Sequence, residues 1–514
     1  MTEATLPALI QQMLQPGFYP HGVTEPIELI QTHVSYVLLT GDYVYKLKKP
    51  VNFGFLDFST LEKRQHFCQE ELRLNQRGAG ELYLEVVPIT LVGEQYQIGG
   101  SGEPVEYAVK MRQFPQESLF SELFAQGKLT ETNLEELGRV VANYHGEAET
   151  NDYIRSFGEV AKVRQAIDEN YAQTVNYIGR AQTQEQFDGT KEYTDNFFAQ
   201  RPELFTDRIK NNYIRECHGD LHLRNMALWH DKIMLFDCIE FNEPFRFVDV
   251  MYDVAFTVMD LEARQRQDLG NAFLNAYVEK TGDWEGLQVL PLYLSRQAYV
   301  RAKVTSFLLD DPSIPAQVKE EAANTASAYY RQAWEYTQLK QGQIILMSGL
   351  SGSGKSTTAK YLARKLGAVQ IRSDAVRKHL AGIPLLERGG DEVYTPEMTA
   401  KTYGRLGELG IKLASQGWTV ILDAKYDRQN LRQDAIAQAQ QHQLPIHIIH
   451  CSAPLEVLQQ RLVNRTGDIA DATADLLASQ FQQAESFTDE EKPYIKIVDT
   501  TQPLESQLQS VISQ

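Results

Sequence analysis

Apolar and polar residues alternate with a period of two through Val34-Ser35-Tyr36-Val37-Leu38-Leu39, break at Thr40-Gly41-Asp42, and alternate again through Tyr43-Val44-Tyr45-Lys46-Leu47. That pattern predicts a β-hairpin over 33–48. From about Thr60 to Arg77 the spacing becomes helical and rich in Glu, Gln, Leu and Arg, with Ser59 or Thr60 as the N-cap. Strand patterns return at 82–90 and 105–113, so this stretch reads as a small β-rich unit with one long helix. From about Ser118 the pattern is mainly helical up to about residue 339. It is broken at 217–241, where Ile233-Met234-Leu235-Phe236 predicts a short buried strand, and at Asp310-Asp311-Pro312. A different texture begins at Gln341: the apolar runs 343–348, 369–371, 419–422, 446–449 and 495–498 alternate with helical stretches. Such alternation predicts a parallel sheet covered on both faces.

A length of 514 residues exceeds what one hydrophobic core supports and predicts two to four domains at roughly 100–200 residues each. With 43% hydrophobic and 23% charged residues, and no run approaching the ~18 apolar residues of a membrane helix, membrane spanning is not expected. The start, Met1-Thr2-Glu3-Ala4-Thr5, has no basic region before an apolar block, so no export signal is read there. Cys68, Cys217, Cys238 and Cys451 lie far apart without a Cys-x-x-Cys pair, which argues against zinc sites and a disulfide framework and for a reducing cytoplasm. His222 and the His447/His450 pair are read as polar residues satisfied locally. The net charge of −18 opposes general association with nucleic acid or anionic lipid. Cations are therefore expected to concentrate where an anionic nucleotide binds, at Tyr45-Lys46-Leu47-Lys48-Lys49 and around Lys355.

Gly349-Leu350-Ser351-Gly352-Ser353-Gly354-Lys355-Ser356, followed by Thr357, stands between an apolar strand and a helix. In that context the spacing predicts a phosphate loop: Gly349, Ser351, Gly352, Ser353, Gly354 and Thr357 surround phosphate oxygens, Lys355 reaches the β- and γ-phosphates, and Ser356 holds Mg²⁺. Past a short strand, Asp374 is placed to accept a proton from a substrate hydroxyl, with Arg377 three residues on to hold a substrate anion. Asp423 ends an apolar strand and is a further candidate for the magnesium shell. Arg461 and Arg465, four apart on a helix ending near 466–468, suit a lid over ATP. Over about 340–514 the chain resembles the small P-loop kinases of hydroxyl groups, among them gluconate kinase, chloramphenicol phosphotransferase, zeta toxins and polynucleotide 5′-hydroxyl kinases. The Ser-Asp-x-x-Arg element is similar to the base and substrate clamp of that group, and residues 383–405 are expected to shape the acceptor pocket.

In His218-Gly219-Asp220-Leu221-His222-Leu223-Arg224-Asn225, a carboxylate and an amide stand five apart, and Asp237 follows a short apolar strand. That layout suits phosphoryl transfer, with Asp220 receiving the acceptor proton and Asn225 and Asp237 holding Mg²⁺. Over about 30–310 the chain resembles the aminoglycoside phosphotransferase family, whose fold is that of the protein kinases. By that resemblance a strand lysine, Lys46 or else Lys48, grips the nucleotide and is held by a helix glutamate, Glu71 or else Glu70. Arg246, Asp249 and Asp253 brace the catalytic loop, and no Gly-x-Gly-x-x-Gly precedes Lys46. The expected fold is a bilobal kinase-like α+β domain over 1–338, with a small lobe at about 30–115 and a large lobe at about 116–338. An α/β P-loop domain follows over 339–514. Expected co-substrates are ATP or GTP with Mg²⁺, and the acceptor is a hydroxyl-bearing small molecule, with a nucleic-acid 5′ end kept open and no membrane partner.

Overall fold

The computed structural model describes residues 6–338, 340–465 and 467–512. Residues 1–5, 339 and 466, touched by the expectations about the leader, the domain boundary and the lid, lie outside them. Two compact units divide the chain: Met1–Leu129 with Glu147–Val163 and Phe205–Thr257, and Thr130–Gly146 with Arg164–Leu204 and Val258–Gln514. No helix among the described residues is long and apolar enough to cross a membrane.

The first unit is built on a six-stranded antiparallel sheet of β1 (Glu28–Gln31), β2 (Ser35–Leu39), β3 (Tyr43–Lys48), β4 (Tyr83–Val92), β5 (Gln95–Ile98) and β6 (Pro104–Arg112), in the order β1-β2-β3-β6-β4-β5. Helix α1 (Ala8–Met13), not foreseen from the sequence, buries Ile10 and Met13 against Leu38, Tyr45 and Leu47 on one face. Because strand side chains alternate, Lys46 and Lys48 take the other face. There α2 (Leu61–Ala79) packs, capped by Thr60, whose side chain accepts from Lys63 N–H. Burying Tyr45 and Leu47 contributes about 1.5–3 kcal/mol each, which ties the register of the two lysines to the apolar core. The strand expected near 233–236 is Lys232–Leu235, paired antiparallel with Met226–Trp229.

In the second unit, helices including α3 (Gln267–Thr281), Leu290–Phe307 and Ala316–Glu335 accompany a five-stranded sheet. Its strands are β7 (Gln343–Ser348), β8 (Val369–Arg372), β9 (Thr419–Asp423), β10 (Ile446–Ser452) and β11 (Ile495–Asp499), all parallel, in the order β8-β9-β7-β10-β11. The apolar runs of β7 and β9 are buried on both faces, with Ile345 and Ile421 packed among Leu362, Ile449 and Val498. Helix α4 (Lys355–Leu366) follows β7 through the glycine-rich loop, and α5 (Ser373–Ala381) follows β8 directly. The mixed architecture is the one expected: an antiparallel sheet with its helix in the first unit, a doubly covered parallel sheet in the second.

Candidate functional site

Strand β3 and helix α2 build the first constellation. Glu71, fully buried, lies between the two lysines: Lys46 Nζ is 2.7 Å from Glu71 Oε1 and Lys48 Nζ is 2.7 Å from Glu71 Oε2. Lys46 also donates to Asp237 Oδ1 at 2.6 Å, and Lys48 to Glu240. Both lysine readings are therefore met by one glutamate, but it is Lys46 that reaches Asp237. Glu70 instead pairs with Arg73 at 2.8 Å. Burial disfavours a charged Lys46, yet Asp237 and Glu71 outweigh it and hold its pKa well above the ordinary value. Lys46 in turn holds the Asp237 carboxyl below the usual range. Burial raises the Glu240 carboxyl against the pull of Lys48.

The His-Gly-Asp segment sits in a loop whose backbone is fixed from below. Asp253, fully buried, accepts from His218 N–H at 2.7 Å and Gly219 N–H at 2.8 Å. Gly219 has φ +85°, and a Cβ there would lie 2.7 Å from the Phe245 carbonyl oxygen, so only glycine fits. Asn225 Nδ2 donates to Asp220 Oδ2 at 3.0 Å, orienting a carboxylate whose side chain remains 35% exposed. Asp237 has φ +61°, and its N–H donates to Tyr83 Oη at 3.3 Å. Arg246 braces the segment through Glu216 and the Glu240 carbonyl, and Asp249 pairs with Arg208. The ring of His222 caps a short turn by accepting from Arg224 N–H.

The second constellation lies where β7, β8 and β9 end, at the carboxyl edge of the parallel sheet, the usual ligand edge of such sheets. Register pairs Arg372 with Asp423 and Met347 with Asp423, so the loop after Ser348 opens beside Asp423. Gly352 has φ +78°, and a Cβ there would stand 2.8 Å from the Leu458 carbonyl. Lys355 Nζ donates to the Leu350 carbonyl at 2.8 Å, Ser351 N–H to Gln480 Oε1 at 3.1 Å, and Gly349 N–H to the Lys425 carbonyl at 3.0 Å. Burial lowers the Lys355 pKa. Ser353 Oγ is buried without a hydrogen-bond partner, a polar atom left for a ligand to satisfy. This cradle, with a cation at its helix end, fits a nucleotide phosphate; Ser356 and Asp423 would hold its magnesium ion.

Asp423 Oδ2 accepts from Gln370 Nε2 at 2.9 Å. Asp374, at the start of α5, has its pKa raised by burial. Arg377 donates to the Val393 carbonyl at 2.9 Å and lies over the Tyr394 ring, 5.0 Å from its centroid, so it is tied into the 391–399 segment. Arg461 donates to Thr500 Oγ1 at 2.8 Å and to the Gly352 carbonyl at 3.3 Å; its helix, Leu455–Val463, stops short of the expected end near 466–468, so Arg465 lies past it and donates to the Ala472 carbonyl. Thr357 is exposed on the first turn of α4. Sequence reasoning missed Gln370, Asp468, Asp471 and Gln480. Asp471 accepts from Lys378, Gly389 N–H and Tyr394 Oη, and Asp468 from Arg372. Only Gln370 left a signal, since it and Arg372 are polar at alternate positions of a strand otherwise apolar. His450 Nδ1 lies 3.3 Å from Ser348 Oγ, and all four cysteines are buried free thiols.

The strand, glycine-rich loop and helix define a P-loop nucleotide-binding domain, and the family described as AAA domain matches residues 344–488. The uncharacterized protein Rv2004c of Mycobacterium tuberculosis is 32% identical over 465 residues, which are 89% of this chain and 91% of that one. The chain belongs to the same family as that mycobacterial protein. Among solved structures, a choline/ethanolamine kinase family protein from Mesorhizobium loti aligns over 64% of this chain and 99% of its own, at 11% identity and a TM-score of 0.40. A gluconokinase from Sinorhizobium meliloti aligns over 34% of this chain and 92% of its own, at 23% identity and a TM-score of 0.25.

Proposed function

We propose that this protein is an ATP-dependent phosphotransferase with alcohol acceptors, small metabolites in preference to nucleic-acid 5′ ends, and that it carries two phosphoryl-transfer sites. The observation that carries the reading is the convergence at the carboxyl edge of β7–β9: a cationic phosphate cradle ending in Lys355, Asp423 beside it, and the half-buried carboxyl of Asp374 at the start of the helix after β8. In the first unit, Lys46 with Glu71 supplies the nucleotide grip, and Asn225 orients Asp220. At either site the aspartate, Asp374 or Asp220, takes the acceptor hydroxyl proton as the new phosphorus–oxygen bond forms and the bond to the departing nucleoside diphosphate breaks. A bound magnesium ion would neutralise charge on the phosphate oxygens. Lys355 and Lys46 add fixed positive charge at the same oxygens, and Ser353 and the loop N–H groups replace their lost hydration.

A second reading makes the first unit a nucleotide or ligand sensor without turnover. It is favoured by the short turn between β2 and β3, where a Cβ on Gly41 would stand 2.3 Å from Thr24 Oγ1, leaving little backbone to fold over phosphates. The test is transfer of labelled γ-phosphate from ATP and from GTP into pooled metabolites and RNA by the parent, Asp220→Asn and Lys355→Ala proteins. Two different products lost in the two variants support two kinase sites. Loss of all label in Lys355→Ala with none in Asp220→Asn supports the sensor, and label in neither parent reaction overturns the kinase reading.

A further inference from the structure

Strand β8 is an outer strand of the parallel sheet, so one side of its backbone lacks a strand partner. Folded proteins cover such N–H and C=O groups, and here helix α3 of the same unit does so with side chains. Asn275 Oδ1 accepts from Gln370 N–H at 2.7 Å while its Nδ2 donates to the Ala368 carbonyl at 3.0 Å. One carboxamide thus replaces a peptide group of a missing strand. Asn271 Nδ2 donates to the same carbonyl at 2.9 Å, and its Oδ1 accepts from Arg364 at 2.8 Å. One turn further, Glu279 Oε2 faces the Arg372 guanidinium at 3.9 Å. Positions 271, 275 and 279 are spaced four apart and form one polar stripe on a helix whose Leu269, Phe273, Leu274 and Val278 are buried apolar residues.

Two lines of contact run from this stripe to the phosphate-loop site. Gln370, whose backbone Asn275 holds, donates through Nε2 to Asp423 Oδ2 at 2.9 Å and to the Ser356 carbonyl at 3.4 Å. Arg372, which Glu279 faces, lies 4.0 Å from the same Asp423 oxygen and pairs with Asp468. Both lines end on one carboxylate oxygen, Oδ2 of Asp423. Core packing does not require this: a buried ionic cluster stabilises a fold weakly compared with apolar residues of like volume. Helix α3 also lies outside residues 344–488, the part that matches the AAA domain.

We propose that Asn275 and Glu279 are positioning residues of the phosphate-loop site, holding Gln370 and Arg372 so that Asp423 is fixed in its orientation toward Ser356. The proposal rests on the reading of that loop as a phosphoryl-transfer site, and it means that the domain matched by the family is completed by a helix from elsewhere in the chain. The test uses the full chain with Asn275→Ala and Glu279→Gln made separately, and Lys355→Ala as the control for the site. Two quantities are read: turnover of magnesium ATP, and binding of a fluorescent ATP analogue with and without magnesium. Loss of such outer contacts lowers metal affinity or activity about tenfold or more, so kcat and magnesium-dependent binding fall in both variants. Magnesium-free binding stays with the parent in both, and the thermal midpoint stays with it in Glu279→Gln, while Asn275→Ala, which strips Gln370 N–H of its acceptor and the Ala368 carbonyl of one of its two donors, melts lower. Magnesium titrations that superimpose on the parent overturn the proposal, as does a loss equal with and without magnesium, the signature of a merely structural role. Glu279→Gln leaves every backbone hydrogen bond of β8 in place, so it decides the matter if Asn275→Ala fails to fold. Lys355→Ala that turns over and binds nucleotide like the parent overturns the underlying reading of the loop, an outcome distinct from either.

Discussion

At Asp253 one side chain carries a loop. It satisfies two buried N–H groups next to the aspartate read as the proton acceptor, and leaving buried donors without partners costs about 1–3 kcal/mol each. Asp253→Ala is therefore expected to lower the unfolding free energy of the first unit by about 3 kcal/mol, measured by urea titration, and to abolish Asp220-dependent transfer. Asp374 makes a different prediction. Burial holds its carboxyl above the ordinary value of 3.8, and only the ionised form accepts a proton. Rate therefore falls as pH drops, along a limb displaced upward from 3.8. Asp374→Asn should remove that transfer by about 10²–10⁴-fold, and a pH–rate profile of the Lys355-dependent product checks both. The candidate residues themselves were legible because each stands in a local pattern: Asp220 and Asn225 on one loop, Lys355 and Ser356 at one helix start. Asn271, Asn275 and Glu279 were not, because they find Ala368, Gln370 and Arg372 some ninety positions away, across a distance no local spacing records.

At the level of elements, each site depends on a strand and a helix meeting in register. Strand β3 and helix α2 share Glu71, which serves two ammonium groups; Glu71→Gln leaves Lys46 with Asp237 and Lys48 with Glu240, so the loss is expected below that of a fully broken buried ion pair, about 3–5 kcal/mol. Equilibrium unfolding should show that loss, and Lys46→Met combined with it should add less than its single effect, since the pair is shared. The loop between β7 and α4 makes the complementary case. Gly352→Ala forces a left-handed residue at about 1–2 kcal/mol and sets a methyl against the Leu458 carbonyl. Nucleotide affinity there should fall roughly tenfold by titration calorimetry, with little change in the first unit. Most strands were legible from period-two or apolar runs, as in β3 and β9. Helix α1 and strand β1 were not, being short segments whose partners, Leu38 and Tyr45 for one and β2 for the other, supply the order that their own composition lacks.

For the whole molecule, two compact units predict two calorimetric transitions, each raised by ligand at its own site. A ligand at a hundred times its Kd stabilises by about 2.7 kcal/mol. Saturating magnesium ATP should therefore raise both midpoints in the parent, one alone in Lys355→Ala and the other alone in Lys46→Met, while the sensor reading keeps both shifts and loses only turnover. The chain passes between the units several times, the first being assembled from three segments that end at Thr257 and the second drawing on segments from Thr130 to the last strand, Ile495–Asp499. During synthesis the first unit is complete once Thr257 has emerged. Helices made earlier, such as Gln184–Gln200, must then wait with their apolar faces uncovered until Leu290–Phe307 and Ala316–Glu335, on which that helix packs, arrive. Nascent protein halted between these points should engage chaperones and be cut by protease in those helices, whereas the released chain should not. Nor can either unit be lifted out by a single cut, so the two units are inherited together.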